Sequence, residues 1–348
     1  MNREERPRAI TATVVYNCAA LNRGENLAGN IGSVKKLALP DGVYSFISRP
    51  AIRHYLFDTL VRLFGWSLTP VTKENKVLQF DIKDADTTQL INSLINYPEI
   101  DVFGFMKTAK SEKTKKNKDN PSASSETKDN PADQSKTITR KAVLGITKCI
   151  SLFPFREDII FYANHHMVAR ASPEANATPD PYAREEHQSL FKVSFVLDCA
   201  RLTRLDDEAS LYGKNGSDDG LNKHRFQKSM EIFQAITQGL TSQSSGEVNT
   251  LVPVFFIVGG LKLPIPVFHN FITAVLDRSE DGRRKFKILG VETAIKHPYR
   301  VESFQPIIYY VPSVLMIDAD GNTSYKESDG KLGIAEKLEE LCRLCFPH

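Results

Sequence analysis

A small set of polar and basic residues in the first sixty positions has the types and spacing of an anion-binding site. The stretch from Tyr16 to Glu25 carries Asn22 and Arg23; Lys35 and Lys36 follow, then Ser48, Arg49 and Arg53. Arg49 and Arg53 stand four apart, so on a helix they share one face at its first turns. Cations there oppose the helix dipole, whereas the free N–H groups of a helix N-terminus favour an anion. A phosphate among Ser48, Arg49 and Arg53 turns that local cost into a gain. The alternative is a surface helix with solvated arginines.

Other chemistry is thinly represented. Residues 283–300 hold six Lys+Arg against Glu292, a net of +5, and the chain from Asp318 onward is acid-rich. Charge segregated in this way suits a groove that tracks phosphates. Phe103, Gly104, Phe105 and Met106 offer aromatics for base stacking, or a core strand bulged at Gly104. No G-x-G-x-x-G, Walker lysine pattern or nucleophile elbow occurs. Asp318 to Asn322 begins like a calcium loop but lacks its turn glycine and final glutamate, and reads as a plain turn. The pair His165-His166 reads as structural. Cys342-x-x-Cys345 has no second ligand pair and reads as two half-buried thiols rather than a metal or redox site. No catalytic constellation stands out, and no cofactor is expected.

These residues need elements to hold them. Thr11–Tyr16 reads as a buried strand. Ser48 to Gly65 is a helix, with Ser48 capping, Pro50 in the first turn and Gly65 closing. Asp86–Tyr97 reads as a shorter helix ended by Pro98, and Lys141–Thr147 and Leu190–Asp198 as strands. Asn222–Gly239 is a helix with Phe226, Met230, Phe233 and Ile236 on one stripe. Leu251–Val258 reads as a strand stopping at Gly259-Gly260, and Pro306–Ile317 as another. The stretches 171–186 and 213–222 read as flexible. The order is an α+β mixture without a regular βαβ repeat.

The 348 residues allow one elaborate domain or two ordinary ones. A net charge of +3 is too even for a uniformly basic coat. The longest apolar run, Leu251–Val258, falls far short of the ~20 residues of a membrane span, and no signal core precedes Arg8. With five cysteines and no disulfide framework, a reduced, cytoplasmic protein is expected. Residues 107–136 cannot bury enough surface to order themselves. Their first part, Lys107 to Lys118, has six Lys against Glu112 and reads as a solvated loop or an arm for a polyanion.

In combination, Leu21 to Glu25, Ser45 to Arg53 and Val102 to Met106 resemble the backbone subunit of type I CRISPR Cascade complexes, nearest the DevR family of type I-B systems. The likeness extends to Leu190–Leu197, Arg201-Leu202 and Phe255–Gly260. It implies a single modified RRM-like (ferredoxin-like) palm over 1–348, with an inserted thumb hairpin and a finger region, the 107–136 segment serving one of these. It implies a non-catalytic subunit that polymerises head-to-tail along guide crRNA. Its partners would be the target DNA strand paired to the guide and the handle-capping, large and crRNA-processing subunits, with no membrane. Matched by motif, Arg23, Ser48, Arg49 and Arg53 fall at guide-phosphate contacts, with Asn22, Lys35, Lys36 and Phe103 to Met106 beside them. Ile52 departs from relatives that carry Lys there. The other readings are a type III-like subunit that cleaves target RNA through a loop aspartate and metal, with Asp101 or Asp119 as candidates, and a guide-independent regulator.

Overall fold

The computed structural model describes residues 6–20, 22–24, 31–74, 77–83, 87–107, 138–172, 175–202, 219–244, 247–278, 284–311, 315–317 and 330–346. Strand β1 (Ala9–Ala19) is followed by β2 (Ile31–Gly32), β3 (Lys36–Leu39), β4 (Gly42–Ile47) and helix α1 (Arg49–Phe64). Paired strands β5 (Val71–Glu74) and β6 (Val77–Phe80) lead to α2 (Thr87–Asn96), α3 (Pro98–Phe103), β7 (Phe105–Lys107) and β8 (Ile138–Arg140). Then come β9 (Leu144–Ile146), β10 (Cys149–Ser151), β11 (Ile159–Tyr162), α4 (His165–Val168), β12 (Tyr182–Glu185) and β13 (Gln188–Asp198). Helices α5 (Cys199–Leu202) and α6 (Asp219–Gln238) precede β14 (Gln243–Ser244), β15 (Glu247–Val248) and β16 (Pro253–Leu261). The chain continues through β17 (Thr273–Arg278), β18 (Arg284–Leu289), α7 (Val291–Ile295), β19 (Ile307–Tyr310), β20 (Leu315–Ile317) and α8 (Gly330–Cys345).

The class is α+β, around one sheet ordered β19-β16-β1-β13-β10-β4-β3, with β9 also on β13. β1 runs antiparallel to β13, from Ala9↔Asp198 to Ala19↔Gln188, and antiparallel to β16 on its other side. A strand flanked and covered in this way is largely apolar on both faces, and its two buried threonines, Thr11 and Thr13, are hydrogen-bonded to Phe195 O and Ser194 Oγ. Ile10, Ala12, Val14 and Tyr16 pack with Ile52, Leu56 and Leu60 of α1, Phe233 and Ile236 of α6, and Leu338 and Leu341 of α8. Val15 goes to the opposite face with Phe255, Ile257, Phe268 and Ile288. The period of two thus assigns one side of the sheet to the helices and the other to β17–β18.

Helix α1 forms where its punctuation places it. Ser48 is extended and its side chain accepts from Ala51 N, Pro50 sits in the first turn, and Gly65 closes the helix in the left-handed region. Ile52 is fully buried here, which accounts for an apolar residue at this position.

Several expectations are corrected. β16 does not stop at Gly259-Gly260 but runs through both. A Cβ at Gly260 would lie 2.9 Å from Pro7 and 3.1 Å from Leu341, so the glycines mark close packing rather than an end. α2 does end at Asn96, just before Pro98, but Pro98 also opens a further helix, α3. Pro306–Ile317 is two strands in different sheets, β19 and β20. His165 and His166, exposed, open the short helix α4 and pack in no core, contrary to a structural role. Residues 182–185, read as flexible, form β12, and α6 begins at Asp219. Cys342 and Cys345 are buried rather than half-buried, beside Cys199, and burial pushes both thiols up. Most of the lysine-rich stretch (108–136), Asp119 and the Asp318 turn lie outside the described residues.

Candidate nucleic-acid interface

The segment that leaves β1 returns to the sheet beside the start of α1. Arg23 bridges Val34, and Ser48 N donates to Asn22 Oδ1 at 3.1 Å. Asn22 therefore holds the helix start from outside while Ser48 Oγ accepts from Ala51 N at 3.4 Å within it. These contacts shape one wall of a cleft of about 820 Å³. Asn22, Arg23, Lys35 and Ser48 line it, together with Pro50, Ala51, His54 and Tyr55 of α1, Arg184 of β12 and Gln243 of β14. Three of these residues are cations and none is an acid, so the cleft is suited to an anion.

The cations are held differently. Arg184 stands 5.1 Å from the ring of Tyr182 and 5.7 Å from that of Tyr162. Those two rings are stacked, 5.0 Å apart at 9°, across the β11–β12 pair. Arg23 instead forms an ion pair with Glu186 and lies 3.6 Å from Glu247. Lys36 lies outside the cleft, 2.6 Å from Glu185 and 4.4 Å from the ring of Phe155.

Arg49 and Arg53 occupy the neighbouring face of α1, not the cleft wall. Arg49 is exposed and has no ion-pair partner among the described residues. Arg53 rests 4.8 Å over the ring of Phe103 and 3.7 Å from Glu99. Burial lowers its pKa, opposed by Glu99 and reinforced by Arg49.

A family model described as CRISPR-associated negative auto-regulator DevR/Csa2 matches residues 10–280, well over half of the chain. The chain belongs to the DevR/Csa2 family. Among solved structures, a chain of a "CRISPR RNA-guided surveillance complex" is similar with a TM-score of 0.47 at 10% identity, covering 95% of this chain and 98% of that one. A chain of a "CRISPR RNA-guided surveillance complex, pre-nicking" has a TM-score of 0.45 at 10% identity, covering 75% and 82%. No curated protein sequence matches.

In this DevR/Csa2 family member, the structure gathers Asn22, Arg23, Lys35 and Ser48 into one site and leaves Phe103 to Met106 apart. Phe103 and Phe105 are buried in two different clusters, so their rings are packing groups and not a stacking platform; Met106 is exposed. Gly104 joins α3 to β7 at φ 74°, where a Cβ would lie 2.4 Å from Arg140 O. Asp101 is enclosed by two guanidiniums. Arg140 Nη2 lies 2.6 Å away, and Arg225 donates to both carboxylate oxygens at 2.8 and 2.9 Å. Although burial alone raises a carboxyl pKa, these cations hold Asp101 below its ordinary value. Asp101 is also only 2% exposed and lines no cleft with the other site residues.

The basic residues of 285–300 do not join the cleft, and Arg283 lies outside the described residues. Lys296 pairs with Glu292 at 2.5 Å, Arg300 donates to Phe304 O at 3.0 Å, and β18 packs on the sheet face opposite α1. Sequence reasoning missed Arg184, His54, Tyr55 and Gln243. The first had a signal, because Tyr182 and Arg184 alternate as strand neighbours on one face.

Proposed function

We propose that this chain is a non-catalytic guide-RNA-binding subunit that polymerises along crRNA as the backbone of a Cascade complex for RNA-guided DNA targeting. The observation that carries it is the cleft of Asn22, Arg23, Lys35, Ser48 and Arg184 at a helix N-terminus, in a chain of a CRISPR-associated family. Side chains and backbone N–H groups of this kind bind phosphate irrespective of sequence, which suits a protein that leaves reading to guide pairing.

The palm reading is supported by connectivity. β1, α1, β10, β13, α6 and β16 follow one another with sheet order β16-β1-β13-β10, the order of a ferredoxin-like βαββαβ unit. The β11–β12 excursion between β10 and β13, and the insertion between β7 and β8, then supply thumb and finger. Identical subunits head-to-tail, the paired DNA strand and the handle-capping, large and crRNA-processing subunits complete the assembly.

Nucleic acid extracted from the purified native complex tests this. A discrete set of RNAs of uniform length is expected; no RNA overturns it. The family's description as a negative auto-regulator favours one other reading, a guide-independent regulator. A regulator of that kind would yield no discrete guide.

A further inference from the structure

Arg23 is the cleft's least available cation. Its side chain is 12% exposed and sits between Glu186 and Glu247, which are 16% and 35% exposed. Three separate stretches meet there: the chain after β1, the residue after β12, and the start of β15. One guanidinium between two carboxylates leaves a net charge of −1, and the carboxylates repel each other. Burial, joined by Glu247, raises the Glu186 pKa against the pull of Arg23 and Arg184. Arg23 Nε is buried without a hydrogen-bond acceptor among the described residues. Among the described residues the trio thus has one anion too many and one donor unmet, with Arg184 acting on Glu186 only at a distance, an arrangement poorly suited to stability alone. It opens onto a cleft whose other cations, Lys35 and Arg184, have no carboxylate within ion-pair distance among the described residues.

We propose that Glu186 and Glu247 are an internal counter-ligand for Arg23, occupying the place that a guide phosphate takes and released when it binds; this rests on the RNA-binding reading above. Only a strand that also engages Lys35, Arg184 and the helix N-terminus offsets the lost ion pairs, because each further contact is then intramolecular. Release also frees Glu247, at the start of β15, from the cleft, while Asn249 keeps its two hydrogen bonds to Ala19.

The test is a double-mutant cycle on the full chain with fluorescently labelled decauridine. Glu186→Gln with Glu247→Gln is expected to tighten binding by about three- to tenfold, and to do nothing in an Arg23→Gln background. Equal gains in both backgrounds would mean a general field effect and overturn the proposal, as would no gain in the first. Should Arg23→Gln fail to fold, Glu185→Gln replaces that arm, because Glu185 takes Lys36 and the Val34 amide and makes no ion pair with Arg23. A gain with Glu185→Gln equal to that with Glu186→Gln again overturns it. Hydrogen exchange supplies an independent readout: the amides of Glu247 and Val248 lose protection when decauridine binds the unaltered chain, and unchanged protection counts against release. If the unaltered chain does not bind decauridine, the RNA reading falls and this one with it. If it binds and the cycle is additive, only this inference falls.

Discussion

Arg184 is a cation kept ready for an anion: it acts on Glu186 at a distance but has no carboxylate within ion-pair range among the described residues. Two stacked tyrosine rings hold its guanidinium at the cleft, so its charge is oriented but not neutralised. Arg184→Gln should weaken RNA binding alike for all sequences and lower the salt slope by about 0.7, the value for one phosphate contact on a single strand. Affinity measured at stepped salt for two unrelated sequences checks this; a loss confined to one sequence would contradict it. His269 sets a different dependence. Its Nδ1 lies 2.9 Å from Ser194 Oγ, and burial, then the Lys192 cation, pull its pKa down to about 4. The unfolded chain takes up that proton near the ordinary 6.5 and the folded chain only near 4. The stability conferred by the neutral ring is therefore complete above 6.5 and lost as pH falls towards 4. The melting temperature should drop over that window, and His269→Gln should flatten the drop.

At the scale of elements, the junction of α3 and β7 turns on one glycine. At φ 74°, and with Arg140 O only 2.4 Å from where a Cβ would stand, Gly104 has no room for a side chain. The same turn sets Asp101 beside Arg140 and Arg225. Gly104→Ala should cost several kcal/mol, and Asp101→Ala about 3–5 kcal/mol because it leaves two buried cations unpaired. Denaturant titration reads both, and a change below about 1 kcal/mol for Asp101→Ala would show that the arginines relax to solvent. Sequence legibility divides along the same physical lines. Helix α1 and the core of β1 are readable because capping residues and apolar runs are local signals. Gly259-Gly260 misleads because close approach of Pro7 and Leu341 is a tertiary cause that selects the same residue as a turn. Arg23 is readable as a cation near Ser48, but its two carboxylates come from positions 186 and 247, and no local pattern links such distant residues. Phe103 misleads for a similar reason, since its ring serves Arg53 from a separate helix.

For the whole molecule, the proposed function makes a demand on assembly. Head-to-tail contacts between identical chains use two different surfaces, so nothing closes them into a ring unless the rotation happens to fit. A strand of RNA supplies the limit that such a protein lacks. Each chain presents its own cleft from Asn22 to Ser48 with Arg184 across from it, and occupation of one cleft raises the effective concentration of strand at the next. The central sheet is covered on both faces by its own layers, so a neighbour must add at edges and insertions rather than through the core. Ile159, Ile160 and Phe161 of β11 are exposed on such an insertion and suit a contact of this kind. Assemblies reconstituted on guides of stepped length should therefore gain one chain per fixed increment of RNA and fall to small species when the RNA is digested. Native mass measurement counts the copies directly. A copy number that stays constant across guide lengths would remove the filament, and with it the backbone role, while leaving the cleft as a site for a single bound strand.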